Sequence, residues 1–163
     1  LIVGTNWKYY VRTFYSTMHD GYTDCFTCEY RIIESSSEGV KIQYTSESSS
    51  SVLDLAITND TLQLVSGSSI VPLPFNLRDY RPAIGMSDSS FCFRDRYNTY
   101  GARLYKSGIG CVYDIFEYPC TGCSNYYYYC LVEFNGKAFD FRKVVSEYHN
   151  RIRLLPDSLG KDF

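Results

Sequence analysis

Apolar and polar residues alternate with a period of two along most of this chain, the spacing of strands that bury one face. The alternation predicts strands over 7–16, 25–35 and 39–48, a hairpin over 52–67, and strands over 89–96, 102–106, 110–118 and 126–134. Turn residues punctuate them: His19-Asp20-Gly21, the Ser/Glu/Gly stretch at 35–39, and Asn59-Asp60 inside the hairpin. Ser107-Gly108-Ile109-Gly110 reads as a tight turn or a kink, so the count is eight or nine strands. The serine-rich run at 46–51 is expected as an exposed polar loop, and 72–86, with Pro72, Pro74 and Pro82, as a long loop. One helix is predicted late in the chain, where Phe141, Val144, Val145, Tyr148 and Ile152 recur at helical spacing. Asp140 is its N-cap and Pro156 lies beyond its end. Many antiparallel strands followed by one amphipathic helix predict an all-β domain spanning 1–163: a closed eight-stranded antiparallel up-and-down β-barrel with the C-terminal α-helix packed outside. A two-sheet sandwich is the alternative architecture.

Composition narrows the classes. The net charge of −2 comes without a basic run, so nothing favours nucleic acid or an anionic membrane as partner. No apolar stretch approaches the roughly 20 residues of a membrane-spanning helix. The opening residues, LIVGTNWKYY, are too short and polar for a signal peptide, which suggests a processed chain. Seven cysteines are many for an intracellular enzyme, and Asn59-Asp60-Thr61 forms a glycosylation sequon on a predicted turn. Together they point to a secreted, extracellular glycoprotein in an oxidising setting.

Three stretches resemble the lipocalins, in particular the invertebrate branch near crustacyanin and apolipoprotein D. Gly4-Thr5-Asn6-Trp7 before KYYVRTFY looks like the first-strand signature; Cys25, five residues before Tyr30, resembles the second strand. SGIGCVYDIFEYPC, followed by NYYYYCLVEFNGKAFDFRKVVSEY, resembles the paired last strands running into the outer helix. The resemblance implies a Gly and a Trp at the barrel floor, Tyr30 inside, and a carrier function.

The cysteines admit two readings. Cys25-x-x-Cys28 and Cys120-x-x-Cys123 imitate the paired spacing of a four-thiolate zinc site, although Cys28 sits within strand alternation. A barrel instead brings the loop after the first strand and the loop before the last to one end, so that Cys25 meets Cys120 or Cys123 in a disulfide. Cys92 and Cys111 are further disulfide candidates, and Cys28 and Cys130, inside strands, are candidate free thiols. A free thiol is either a small buried hydrophobe or an attachment point for an electrophilic ligand such as a tetrapyrrole.

Seventeen tyrosines accompany a single tryptophan, and Tyr126 to Tyr129 on one strand must point alternately to its two faces. Tyrosine joins a large apolar body to a hydroxyl that needs a partner when buried, which suits a lined cavity better than a solid core. Tyr30, Tyr44, Phe93, Tyr113, Tyr127 and Tyr129 are the expected ligand-lining residues. Asp114 either enters the cavity to hold an amine or pairs with an arginine. No nucleophile elbow, phosphate loop or zinc-protease motif occurs, and His19 and His149 fall in separate regions, so no catalytic residue or metal ligand is assigned. The expected function is to carry or sequester a small hydrophobic or amphipathic ligand: a pigment such as a bilin or carotenoid, a fatty acid or other lipid, a steroid or a biogenic amine. A homo-oligomer is compatible. The alternative is a filled barrel that binds another protein.

Overall fold

The computed structural model describes residues 1–16, 21–58, 61–66, 89–94, 100–106, 108–120 and 123–143. They form strands β1 (Asn6–Ser16), β2 (Gly21–Ser35), β3 (Gly39–Ser46), β4 (Ser50–Thr58), β5 (Thr61–Ser66), β6 (Ser89–Arg94), β7 (Tyr100–Lys106), β8 (Gly110–Cys120), β9 (Cys123–Phe134) and β10 (Lys137–Ala138). All lie in one antiparallel sheet whose order is β5-β4-β3-β2-β1-β9-β8-β7-β6, with β10 added beside β9. The first strand is therefore flanked by the second and by the ninth, the first-to-last pairing of an up-and-down barrel. One continuous path replaces the two stacked layers of a sandwich.

The barrel is open where a closed one was expected. Among the described residues no ladder joins β5 to β6, the two ends of the path. These are the shortest strands of the path, six residues each, and the proline-bearing stretch between them lies outside the described residues.

Turn chemistry accounts for most boundaries. Ile109 N donates to Lys106 O at 3.1 Å, and Gly108 and Gly110 take φ of 73° and 106°, so a turn rather than a kink separates β7 from β8. Nine strands thus make the path. The expected turn after β1 is shorter than the sequence suggested, because Gly21–Asp24 already pair with Thr13–Ser16. The serine run is likewise a tight turn: Ser46 N donates to Ser49 O at 2.8 Å, and Ser50 and Ser51 open β4. Thr58 pairs with Thr61 in the expected hairpin, while the sequon's Asn59 lies outside the described residues. Asn135-Gly136 makes a two-residue turn that was not anticipated, with φ of 49° and 74°. Positive φ at both central residues is what a type I′ hairpin requires, and Asn-Gly supplies it at least cost.

Residues 141–143 begin a helix, capped by Asp140 as expected: its Oδ1 accepts from Arg142 N at 3.1 Å and Lys143 N at 3.4 Å. The later part of the predicted helix lies outside the described residues. Phe139 N donates to Val132 O at 2.8 Å, turning the chain back over β8 and β9. There the ring of Phe141 stacks on Tyr113, nearly parallel at 6.4 Å.

Candidate functional site

Register assigns every side chain to a face. Trp7, Tyr9, Val11 and Thr13 of β1 are buried and pair with Tyr30, Cys28, Phe26 and Asp24 of β2. On the other side Tyr9, Val11 and Thr13 pair with Leu131, Tyr129 and Tyr127 of β9. Cross-strand partners share a face, so this is the inner face, and Tyr44, Ile42, Leu53 and Leu55 continue it through β3 and β4. Tyr126 and Tyr128 pair with Phe14 and Arg12 on the outer face. The tyrosine run therefore divides two and two, with Tyr127 and Tyr129 inward.

Tyr30, Tyr44, Tyr127 and Tyr129 come together on the inner face. Tyr30 packs on Tyr44 with ring centroids 5.2 Å apart and edge-on to Tyr9 at 5.8 Å. Tyr113 corrects the expectation. It pairs with Cys130 rather than an inner residue, and its ring stacks on Phe141 outside the sheet. The reason is the turn between β8 and β9: Cys120 pairs with Cys123, so even-numbered positions of β8 oppose odd-numbered positions of β9. Inward Tyr129 then selects Asp114, not Tyr113. The side chain of Phe93 lies outside the described residues; its backbone pairs with Gly101.

The inner face is not hollow along its length. At the end holding the turns after β2, β7 and β9, Trp7, Ile32, Ile42, Leu55 and Leu131 are fully excluded from solvent. Trp7 Nε1 donates to Ile109 O, and Tyr9 Oη donates to Cys111 O at 2.7 Å. Two β1 side chains thus fasten the β7–β8 turn across this end, with Trp7 against Phe134 at 5.9 Å. It is a solid floor. Toward the opposite end, where β1, β3 and β8 finish, Phe26, Tyr44 and Tyr127 are only partly buried. Tyr15 stacks on exposed Tyr22 at 4.7 Å and meets Tyr127 edge-on at 6.0 Å, and Tyr127 Oη donates to Tyr15 Oη at 3.4 Å. The candidate site is this mouth of half-buried aromatic rings above a packed floor.

Buried polarity lies just below the mouth. Asp114, 1% exposed, takes Arg103 Nε at 2.8 Å on Oδ2, so the arginine, not an incoming amine, partners it. Burial by itself would weaken the charge on Arg103, but the adjacent carboxylate outweighs it and the guanidinium stays protonated. Burial also lifts the phenols of Tyr30 and Tyr129 well above the usual tyrosine range, with the nearby Cys28 thiol adding to both. The Tyr30 hydroxyl is buried and finds no hydrogen-bond partner among the described residues.

The cysteines do not pair as expected. Cys25 is an exposed free thiol, and Cys28, Cys111 and Cys130 are buried free thiols. Cys25 pairs with Arg12, which pairs with Tyr128, five positions along β9 from Cys123. Those five positions are about 17 Å of strand, far beyond the reach of a disulfide. The turns do share one end of the sheet; Cys25 is simply too far down β2. It also faces outward while Cys28 faces inward, since residues three apart on a strand lie on opposite faces, so the two cannot serve one zinc ion. Cys111 sits beneath the β7–β8 turn, its Sγ donating to Tyr113 O at 3.4 Å. The side chains of Cys92, Cys120 and Cys123 lie outside the described residues, as do His19 and His149. Burial raises the thiols of Cys28 and Cys130 to about 12, which leaves them unreactive small hydrophobes at neutral pH.

Away from the mouth, a concavity of about 580 Å³ opens on β2, β3 and β4, lined by Val3, Ile33, Glu34, Lys41, Asp54 and Ala56 among others. Lys41 Nζ lies 2.7 Å from Glu34 Oε2 there. It contains none of the ligand-lining residues expected from sequence. No group of three potential metal-ligating side chains occurs among the described residues.

No family model matches the chain, and no curated protein matches it. Among solved structures the chain is similar to a LolA superfamily protein from Nitrosomonas europaea, 12% identical over 88% of this chain and 89% of that one, with a TM-score of 0.33. An overlap that loose carries no argument about ligand or family. The up-and-down strand order is shown, the expected lipocalin family is not, and the functional reading rests on the inner face itself.

Proposed function

We propose that this protein is a carrier that takes up a small, largely apolar molecule at the mouth of its inner face. The supporting observation is the arrangement of Phe26, Tyr44 and Tyr127: aromatic rings on the core side of the sheet, left half-buried above a floor that is fully packed. A ligand covering such rings gains roughly 25 cal/mol per Å² of apolar surface buried, before the costs of immobilising it. Ring edges and hydroxyls set its orientation, and the floor sets how deep it goes. A bilin, carotenoid, lipid or steroid fits this chemistry, and a secreted setting suits such a carrier. Native mass spectrometry and the visible spectrum of protein purified from its source test the reading: a bound small molecule or a coloured band supports it, and a ligand-free protein that shows no saturable uptake of apolar probes refutes it.

A second reading has its own observation. Tyr10 is exposed, and Phe14, Tyr126 and Tyr128 are half-buried, on the outer face of β1 and β9, a surface rich in the residue types that anchor protein interfaces. Co-purification of a protein partner lost on Tyr10→Glu, with no small molecule bound, is the outcome that favours this module.

A further inference from the structure

The hydroxyl of Tyr30 sets a chemical requirement on the ligand, an inference that rests on the carrier reading and sharpens it. The Tyr30 side chain has no exposed surface. Its ring is held between Tyr9 and Tyr44, both on the inner face, and its hydroxyl lies near Cys28, Tyr129, Tyr44 and Tyr9. Every one of these neighbours has a tip that is itself polar. Yet the hydroxyl finds no partner among the described residues, whereas that of Tyr9, one strand away, donates to Cys111 O at 2.7 Å. A buried hydroxyl without a partner is costly, and a phenylalanine would fill the same volume without that cost. Of the rings adjoining Tyr30, Tyr44 is only half-buried, so a single ring separates Tyr30 from the mouth.

The charge of the surroundings decides which ligand group would meet it. Among the described inner-face residues, Arg103 is committed to Asp114 at 2.8 Å. The groups that act on the Tyr30 hydroxyl, Cys28, Tyr129, Tyr44 and Tyr9, include no cation, so a carboxylate arriving beside it would be an unbalanced buried charge, far more costly than a buried neutral oxygen. The carbonyl of a ketone, aldehyde or ester has the acceptor that the phenol lacks and carries no charge.

We propose that Tyr30 is the deep polar contact of the site, donating its hydroxyl proton to the neutral carbonyl oxygen of an otherwise apolar ligand that enters carbonyl-first past Tyr44.

The test compares three probes of equal carbon number, methyl nonyl ketone, undecane and undecanoate, on the intact protein and on Tyr30→Phe. Binding of the volatile ketone and alkane is read by headspace depletion, and of the carboxylate by calorimetry. The proposal expects the ketone to bind the native protein on the order of tenfold more tightly than Tyr30→Phe does, the worth of one net hydrogen bond. It expects undecane to bind both proteins alike, and undecanoate to bind more weakly than the ketone. Thermal unfolding of Tyr30→Phe, expected at or above the native temperature because an orphan hydroxyl is removed, confirms that the variant folds. Ketone affinity unchanged by Tyr30→Phe while undecane still binds overturns the Tyr30 contact and leaves the carrier reading standing. Undecanoate binding more tightly than the ketone overturns the neutral-ligand requirement. Saturable binding of none of the three overturns both readings.

Discussion

Replacing the buried Asp114–Arg103 pair tests whether the register-based assignment of the inner face is energetically real. Nε and Oδ2 are 2.8 Å apart, with the arginine side chain 16% and the aspartate side chain 1% exposed. At an effective dielectric constant of about 20, two unit charges at that distance attract by roughly 6 kcal/mol. Desolvation consumes most of this, so the intact pair contributes little net stability. Removing one partner is different, because the other charge is stranded. Asp114→Leu and Arg103→Met should each lower unfolding stability by about 3–5 kcal/mol. The double variant, which removes both charges and fills the space with carbon, should return to within about 1 kcal/mol of the parent or exceed it. Urea unfolding of the four proteins, with equal m-values as the check on two-state behaviour, measures the coupling directly. A double variant that loses the sum of the two single losses would mean that the residues do not interact, and Asp114 would then be available to an incoming amine.

Gly39→Ala should lower stability by about 1–3 kcal/mol, because a Cβ there would stand 2.6 Å from the carbonyl oxygen of Leu55 on the neighbouring strand; urea midpoints check it, and an unchanged midpoint would refute the close β3–β4 approach. In the native protein at neutral pH, Cys25 should be alkylated by iodoacetamide within minutes while Cys28, Cys111 and Cys130 resist until unfolding, as read by peptide mass mapping, since only Cys25 of these four is exposed. Phe141→Ala should open the layer over Tyr113 and its partner Cys130, raising the alkylation rate of Cys130 without changing that of inward-facing Cys28. Stability should fall in alkali: Cys28 and Cys130 move from 9.0 to about 12 on burial. Folded values raised in this way give a contribution that is complete below pH about 9 and lost as pH rises toward about 12, at up to roughly 1.4 kcal/mol per pH unit for each thiol. A flat stability profile across that range would contradict their burial.

The strands were legible because alternation with a period of two survives even in a chain this rich in tyrosine, and the first-to-last closure of β1 on β9 followed from their number and the late helix. What alternation alone could not give was the phase of one strand relative to the next. For β9 the phase was read rightly, with Tyr127 and Tyr129 inward. For β8 it was not: Cys120 pairs with Cys123, so even positions of β8 oppose odd positions of β9 and Asp114, not Tyr113, faces inward. The cysteines failed for a related reason: proximity of turns at one end of a sheet says nothing of how far down a strand a residue sits, and Cys25 lies four positions below the start of β2. Asn135-Gly136 is a plain hairpin signal, which the expected run from the last strand straight into the helix left unused. The solid floor made by Trp7, Tyr9 and the β7–β8 turn depends on side chains reaching across the interior, and no local pattern encodes that.

The account stands or falls on whether an apolar guest occupies the mouth of the inner face. Fluorescence titration with N-phenylnaphthylamine, on the parent protein, on Tyr127→Glu and on Tyr128→Glu, compares two adjacent tyrosines that differ only in the face they occupy. Saturable binding that is lost in Tyr127→Glu and kept in Tyr128→Glu is the predicted result; no saturable binding to the parent, or equal binding in all three proteins, would contradict it.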